Sequence, residues 1–282
     1  MKEISSKDAL REQLDDWRHN GDHIALVPTM GNLHAGHLSL VKIARQHAER
    51  VVVSIFSYPN HASEIEDAEE SARILQRDKR RLVQAKVDAL FVPDITLMYP
   101  SGVDSATSVT VPILTEEFCG SARPGHFDKV TTVLTRLFGL IQPDAAIFGQ
   151  KDYQQQVIVR RLVEDLNLGI DVISGPTDRE DDGLARSFEN QHLSEEQRKI
   201  APELYRILQG IAHSLETGSQ NYAELEVGGV EQLASQGFTP EYVSIRRAEN
   251  LQQPDRDTDE LVVLIAASLG EARLTDNVLV HT

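Results

Sequence analysis

Pro28 to His37 reads "PTMGNLHAGH". Two imidazoles, His34 and His37, stand three residues apart with Gly36 between them, directly after the apolar run Ile24-Ala25-Leu26-Val27. On a helix starting near His34 both rings share one face, about one turn apart. The helix start adds backbone N–H groups and the positive end of the helix dipole, the usual seat of a polyphosphate. His34 and His37 could donate there to phosphate oxygens and stabilise charge developing on them. Gly36 would keep backbone out of the approach. The plainer alternative is a helix start with two solvated or core-edge histidines. A metal site needs at least a third ligand, and none stands nearby in the sequence.

Two further stretches carry chemistry of the same kind. "FGQKDYQQQ" (Phe148–Gln156) puts Lys151 and Asp152 just after an apolar run. Lys151 could neutralise phosphate; an ordinary polar turn with Asp152 as helix N-cap is the alternative. "ARPGHF" (Ala122–Phe127) sets Arg123 and His126 around a Pro-Gly turn. Arginine in a tight loop suits a carboxylate or phosphate, and a surface turn is the alternative.

Short Val- and Ile-rich runs alternate with helical patterns and must position these residues. "HIALVPT", "VVVSIFS", "ALFVP", "AAIFG" and "IDVISGP" read as strands. The segments between them, such as "LHAGHLSLVKIARQHAE" and "KVTTVLTRLFGLIQ", read as helices, as does the N-terminal "MKEISSKDALREQLDDW". This alternation predicts a parallel sheet covered on both faces. Ligands bind such sheets beyond the carboxyl ends of the strands, where the first strand delivers the histidines and "AAIFG" delivers Lys151. After about Pro176 the pattern changes to one long helix, "SEEQRKIAPELYRILQGIAHSLETG", capped by Ser194, and then strands joined by turns. The expected organisation is a sheet domain over 1–176 and a smaller α+β domain over 177–282.

The 282 residues, 40% of them hydrophobic, are enough for a proper core. A formal net charge of −16 with no long basic run makes nucleic acid an improbable main partner. Cys119 is the only cysteine, so no disulfide can form within the chain. No apolar stretch approaches the ~20 residues needed to span a bilayer, and the start lacks a signal-peptide core. A cytoplasmic protein with no membrane partner is expected.

Taken in order and at their spacing, "PTMGNLHAGHLSLV", "VVVSIF", "MYP", "SARPGHF", "LFGLIQPDAAIFGQKDYQQ", "VEDLNLGIDV", "DGLA", "LSEEQRKIAPELYRIL" and "LGEARLTDN" resemble pantothenate synthetase over essentially the whole chain. The resemblance implies a Rossmann-like α/β fold of the H-x-G-H nucleotidyltransferase type, with a smaller C-terminal lid, and a homodimer. It implies activation of a small carboxylic acid by ATP and Mg²⁺ as an acyl-adenylate, which an amine then attacks. On this resemblance Met30, His34, Gly36, His37, Gly149, Lys151 and Asp152 line the ATP site. Asp152 is the carboxylate assigned to the metal, and Gln155 helps bind the hydroxy acid.

Three stretches depart from the family pattern. Tyr58 and His61 stand where the family has an Asn and the Gln that holds pantoate, and Ala62 replaces a Phe. An imidazole in place of an amide changes size, hydrogen bonding and available charge. Ser71-Ala72 precede Arg73 where the family has Tyr-Pro. Ser187-Phe188-Glu189-Asn190 replace Ser-Ser-Arg-Asn. Ser187 keeps the first Ser of that phosphate loop, Phe188 cannot donate, and Glu189 would repel a triphosphate, with Arg186 a candidate substitute. Tyr58, His61, Gln155 and Arg123 are therefore expected around the acid. The expectation is an acyl-adenylate ligase whose acid or amine differs from pantoate and β-alanine. The alternatives are a pantothenate synthetase proper, or a nucleotide- or partner-binding homologue without catalysis.

Overall fold

The structure is a computed structural model and describes residues 1–58 and 68–282. In chain order the elements are β1 (Lys2–Ile4), α1 (Lys7–His19), β2 (Ile24–Thr29), α2 (Ala35–His47), β3 (Arg50–Ile55), α3 (Ala68–Gln84), β4 (Ala89–Phe91), α4 (Ile95–Met98), α5 (Cys119–Ala122), α6 (His126–Ile141), β5 (Ala145–Gly149), α7 (Tyr153–Asp165) and β6 (Asp171–Gly175). They continue with α8 (Glu195–Ile200), α9 (Glu203–Glu216), α10 (Tyr222–Ser235), β7 (Thr239–Arg247), β8 (Glu260–Leu269) and β9 (Ala272–His281). None of the described helices is long and apolar enough to cross a membrane.

The chain divides into two compact units, Met1–Gly149 with Ile158–Gly175, and Gln150–Val157 with Pro176–Thr282. The first holds a six-stranded sheet in the order β1-β4-β3-β2-β5-β6, parallel at every pairing. Strand residues alternate between two cores. Ile24, Leu26, Val52, Ala146 and Phe148 face α1, α6 and α7. Ala25, Val27, Val53, Ala145 and Ile147 face α2 and α3. This two-sided burial explains the near-continuous apolar runs, and makes the chain a Rossmann-like α/β protein. Strand order reverses between β2 and β5. Parallel neighbours end at the same edge, so the switch point lies where β2 and β5 end, the usual position of a ligand crevice.

The second unit packs α8, α9 and α10 with the antiparallel sheet β7-β8-β9 around its own core, including Leu204, Leu208, Ile245, Val263 and Ile265. The β8–β9 hairpin turns through Gly270 at φ +62°, a left-handed conformation that favours glycine.

Three expectations need correcting. The N-terminal helix starts only at Lys7, because Lys2–Ile4 pair with Ala89–Phe91 as a short edge strand. The long helix after Ser194 is broken into α8 and α9, because Pro202 has no N–H to continue the ladder. A helix, α10, occupies 222–235, where the sequence pattern predicts no element.

Candidate active site

β2 ends at Thr29, whose Oγ1 donates to Ser54 O at 2.8 Å and accepts from Gly31 N–H at 3.3 Å. The chain then turns through two left-handed residues, Gly31 at φ +88° and Asn32 at φ +52°. A Cβ on Gly31 would lie 3.2 Å from Ile55 Cγ2, so both conformation and space favour glycine there. His34 is the N-cap of α2, in extended conformation. His34 N–H donates to His37 Nδ1 at 3.3 Å, and the two rings lie 4.1 Å apart, tilted by 50°. With Nδ1 accepting, a neutral His37 carries its proton on Nε2, the donor form a phosphate oxygen needs. Both rings are half-buried and Met30 is exposed. The histidines are therefore not sealed inside packed side chains.

The turn is gripped from α3, a contact that sequence reasoning misses. Asp78 is fully buried and accepts from Leu33 N–H at 3.0 Å. Arg77 donates to Asn32 Oδ1 and Arg81 to the Leu33 carbonyl. Burial pushes the Asp78 carboxyl above the usual range, against the lowering effect of the Leu33 and Asn32 backbone and of Arg77 and Arg81. A group whose folded pKa is raised contributes stability fully present below its unfolded pKa, about 3.9. That contribution is lost as pH rises through the folded value. Asp78→Asn, which cannot ionise, should therefore lose less stability than the wild type as pH rises from about 3.9. Urea midpoints across that range check this, and parallel curves would contradict it.

β5 ends at Gly149, and Gln150–Asp152 form a short 3₁₀ turn. Asn277, buried on β9, donates to the carbonyls of Gln150 and Lys151, both at 2.9 Å. Lys151 Nζ donates to Thr275 Oγ1 at 3.3 Å and lies 3.6 Å from Asp152 Oδ1. The buried Asp276 accepts from both terminal guanidinium nitrogens of Arg179, at 2.5 and 3.0 Å, with Arg179 stacked 3.7 Å over Tyr205. "LTDN" is thus the platform under Lys151. A small cavity is lined by Lys151, Ser187, Asn190, Thr275 and Asp276.

The remaining expected residues fall in separate settings. Ser187 caps the 3₁₀ turn Phe188–His192, accepting from Glu189 N–H at 3.3 Å. Phe188 packs edge-on against His192, and Glu189 is exposed. Arg186 is engaged by Asp178 at 3.1 Å and Glu180 at 2.7 Å. Tyr58 lies edge-on to Tyr99 with the Lys129 ammonium 4.9 Å over its ring. Arg123 is exposed at the end of α5, and Ser71-Ala72 are exposed on α3. Gln155 is half-buried in the first turn of α7. His61 and Ala62 lie outside the described residues. Among the described residues no group of three His, Cys, Asp or Glu side chains could hold a metal.

A parallel sheet with an H-x-G-H turn leaving its switch-point strand defines a Rossmann-like protein of the H-x-G-H type. The chain belongs to the pantoate-beta-alanine ligase family, whose profile matches residues 2–279. It is 49% identical to the pantothenate synthetase of Ectopseudomonas mendocina (strain ymp) over 281 residues, covering 100% of this chain and 99% of that protein. It is similar to the crystal structure of pantothenate synthetase from Thermus thermophilus, with TM-score 0.88 and 41% identity, both chains covered in full. It also resembles the Francisella tularensis pantoate-beta-alanine ligase complexed with beta-gamma ATP and beta-alanine, with TM-score 0.76 and 28% identity, over 99% of this chain and 97% of that one. These findings weigh against the expectation of other substrates. The departures read at Tyr58, Ser71-Ala72 and Phe188-Glu189 occur in a chain that matches pantothenate synthetases over its whole length.

Proposed function

We propose that this chain is an ATP-dependent pantoate–β-alanine ligase that forms pantothenate, AMP and pyrophosphate. What carries the reading is near-half identity to a pantothenate synthetase over both full lengths, with the histidine pair kept at the sheet's switch point. A pantoate carboxylate oxygen attacks the α-phosphorus, and the bond to the β-phosphate oxygen breaks, releasing pyrophosphate. The β-alanine nitrogen then attacks the acyl carbon, the carbon–oxygen bond to AMP breaks, and the amine proton is lost. His34 and His37 donate to phosphate oxygens, and Lys151 balances the charge that develops as pyrophosphate departs. Met30, Gly36, Gly149 and Ser187 line the nucleotide, while Gln155, Tyr58 and Arg123 bind the acid. Holding the reactants in line and excluding water protects the mixed anhydride.

Magnesium is usually held by one or two carboxylates together with substrate phosphates and waters. Asp152, exposed beside Lys151, fits that role, and the ion would draw charge from the phosphates. The family's homodimer is part of this reading.

The test is pyrophosphate release with ATP and pantoate, followed by pantothenate formation on adding β-alanine. Release only with other acids, or none at all, would overturn the proposal. The altered phosphate loop has its own consequence. Glu189→Arg with Phe188→Ser should lower the KM for ATP by about three- to fivefold, the scale of an exposed charge interaction. An unchanged KM would mean the loop faces away from the nucleotide.

A further inference from the structure

We propose that Asp78, with Arg77 and Arg81, is a positioning group for the reaction: α3 holds the 31–33 turn so that His34 and His37 are presented as one preset donor pair. This rests on the reading of the histidines given above. The turn starts from two left-handed residues, Gly31 and Asn32, a backbone path with many competitors in a free loop. Three α3 side chains remove that freedom. Asp78 takes the Leu33 N–H, Arg81 the Leu33 carbonyl and Arg77 the Asn32 side chain. Leu33 is thus held at both backbone groups, and its own side chain is buried in the α2/α3 core. The next residue is His34, whose N–H reaches His37 Nδ1 at 3.3 Å. Moving that N–H would release the ring that it orients.

The cost of the arrangement supports the assignment. Asp78 lies four residues before Leu82, on the same buried helix face, and is itself fully buried. A carboxylate there is expensive unless paired and hydrogen-bonded, and an apolar side chain would fill the face at less cost. Its acceptor oxygen instead goes to the backbone one residue before the first histidine. Arg77 and Arg81 flank it by one and three residues, and both reach the same turn rather than solvent alone.

The test compares Asp78→Ala and Asp78→Asn with the wild type in two readouts. The first is the ¹⁵N resonance of His37 Nδ1 in the ligand-free protein, displaced by its hydrogen bond from His34 N–H. The second is the steady-state rate with ATP, pantoate and β-alanine. Asp78→Ala should move the resonance to its unbonded position and lower kcat by about 100-fold with the KM for ATP nearly unchanged, the size expected of a displacement near 1 Å. Asp78→Asn keeps an acceptor for Leu33 N–H and should recover about tenfold of that loss, the scale of one hydrogen bond. Folded Asp78→Ala protein with an unmoved resonance and an unchanged kcat would overturn the proposal. If Asp78→Ala does not fold, Arg77→Met, at a half-buried position, is measured in the same way and decides it by the same criteria. Should the resonance move while even the wild type forms no pantothenate, the positioning role stands and the assigned reaction falls.

Discussion

His37→Ala is expected to lower the rate of pyrophosphate release from ATP and pantoate by about two to three orders of magnitude, the scale of losing one transition-state donor. The ring is half-buried, tilted against His34 at 4.1 Å, and oriented by His34 N–H on Nδ1. With Nδ1 accepting, a neutral ring carries its proton on Nε2, and in the proposed reaction that donor is oriented before the nucleotide arrives. The loss should fall on kcat more than on the KM for ATP, because a donor matched to the developing charge binds the ground state less well. An unchanged rate would remove His37 from the mechanism. A raised KM with unchanged kcat would make it a binding residue only.

Lys151→Met is expected to be as damaging, again about 10² to 10³ in rate. Methionine keeps most of the side chain's length and apolar stem, so the loss isolates the ammonium. That ammonium is not a free surface charge. Its side chain is 20% exposed, Thr275 accepts from it, and Asn277 holds the carbonyl of its own residue. A charge fixed this way loses less side-chain freedom on meeting a phosphate than a solvated lysine does. Lys151→Arg should rescue little, since the planar fork cannot occupy the point-charge position beside Thr275. The check is single-turnover adenylation at saturating ATP. A wild-type rate for Lys151→Met would show that the charge has no part in the chemical step.

Strand and helix periodicity makes the parallel sheet legible in the sequence itself, because most β2, β3 and β5 residues face one of two cores and are apolar for that reason. The short edge strand at Lys2–Ile4 is hidden, since only Ile4 of its three residues is buried. α10 is hidden because Gly228 and Gly229 interrupt its apolar face, and because few of its side chains are buried. The local part of the candidate site consists of short-range patterns, the His34/His37 spacing and Lys151 after a strand. Its supports do not. Asp78 lies 45 residues from Leu33, and Asn277 lies 126 from Lys151. Only folding joins them. One signal is present for Asp78: a lone acid in "QRDKRR" four residues before a buried leucine is an unusual tenant of a core-facing position. Arg186 shows the opposite limit. Its place beside the phosphate loop is legible, but its Asp178 and Glu180 partners are not.

The most direct measurement is a crystal structure of this chain with bound ATP. His34, His37 and Lys151 should each place a side-chain nitrogen within about 3.2 Å of a phosphate oxygen of the same nucleotide. ATP seated with either imidazole or the ammonium out of hydrogen-bond reach of its phosphates would contradict the account, whatever the family to which the chain belongs.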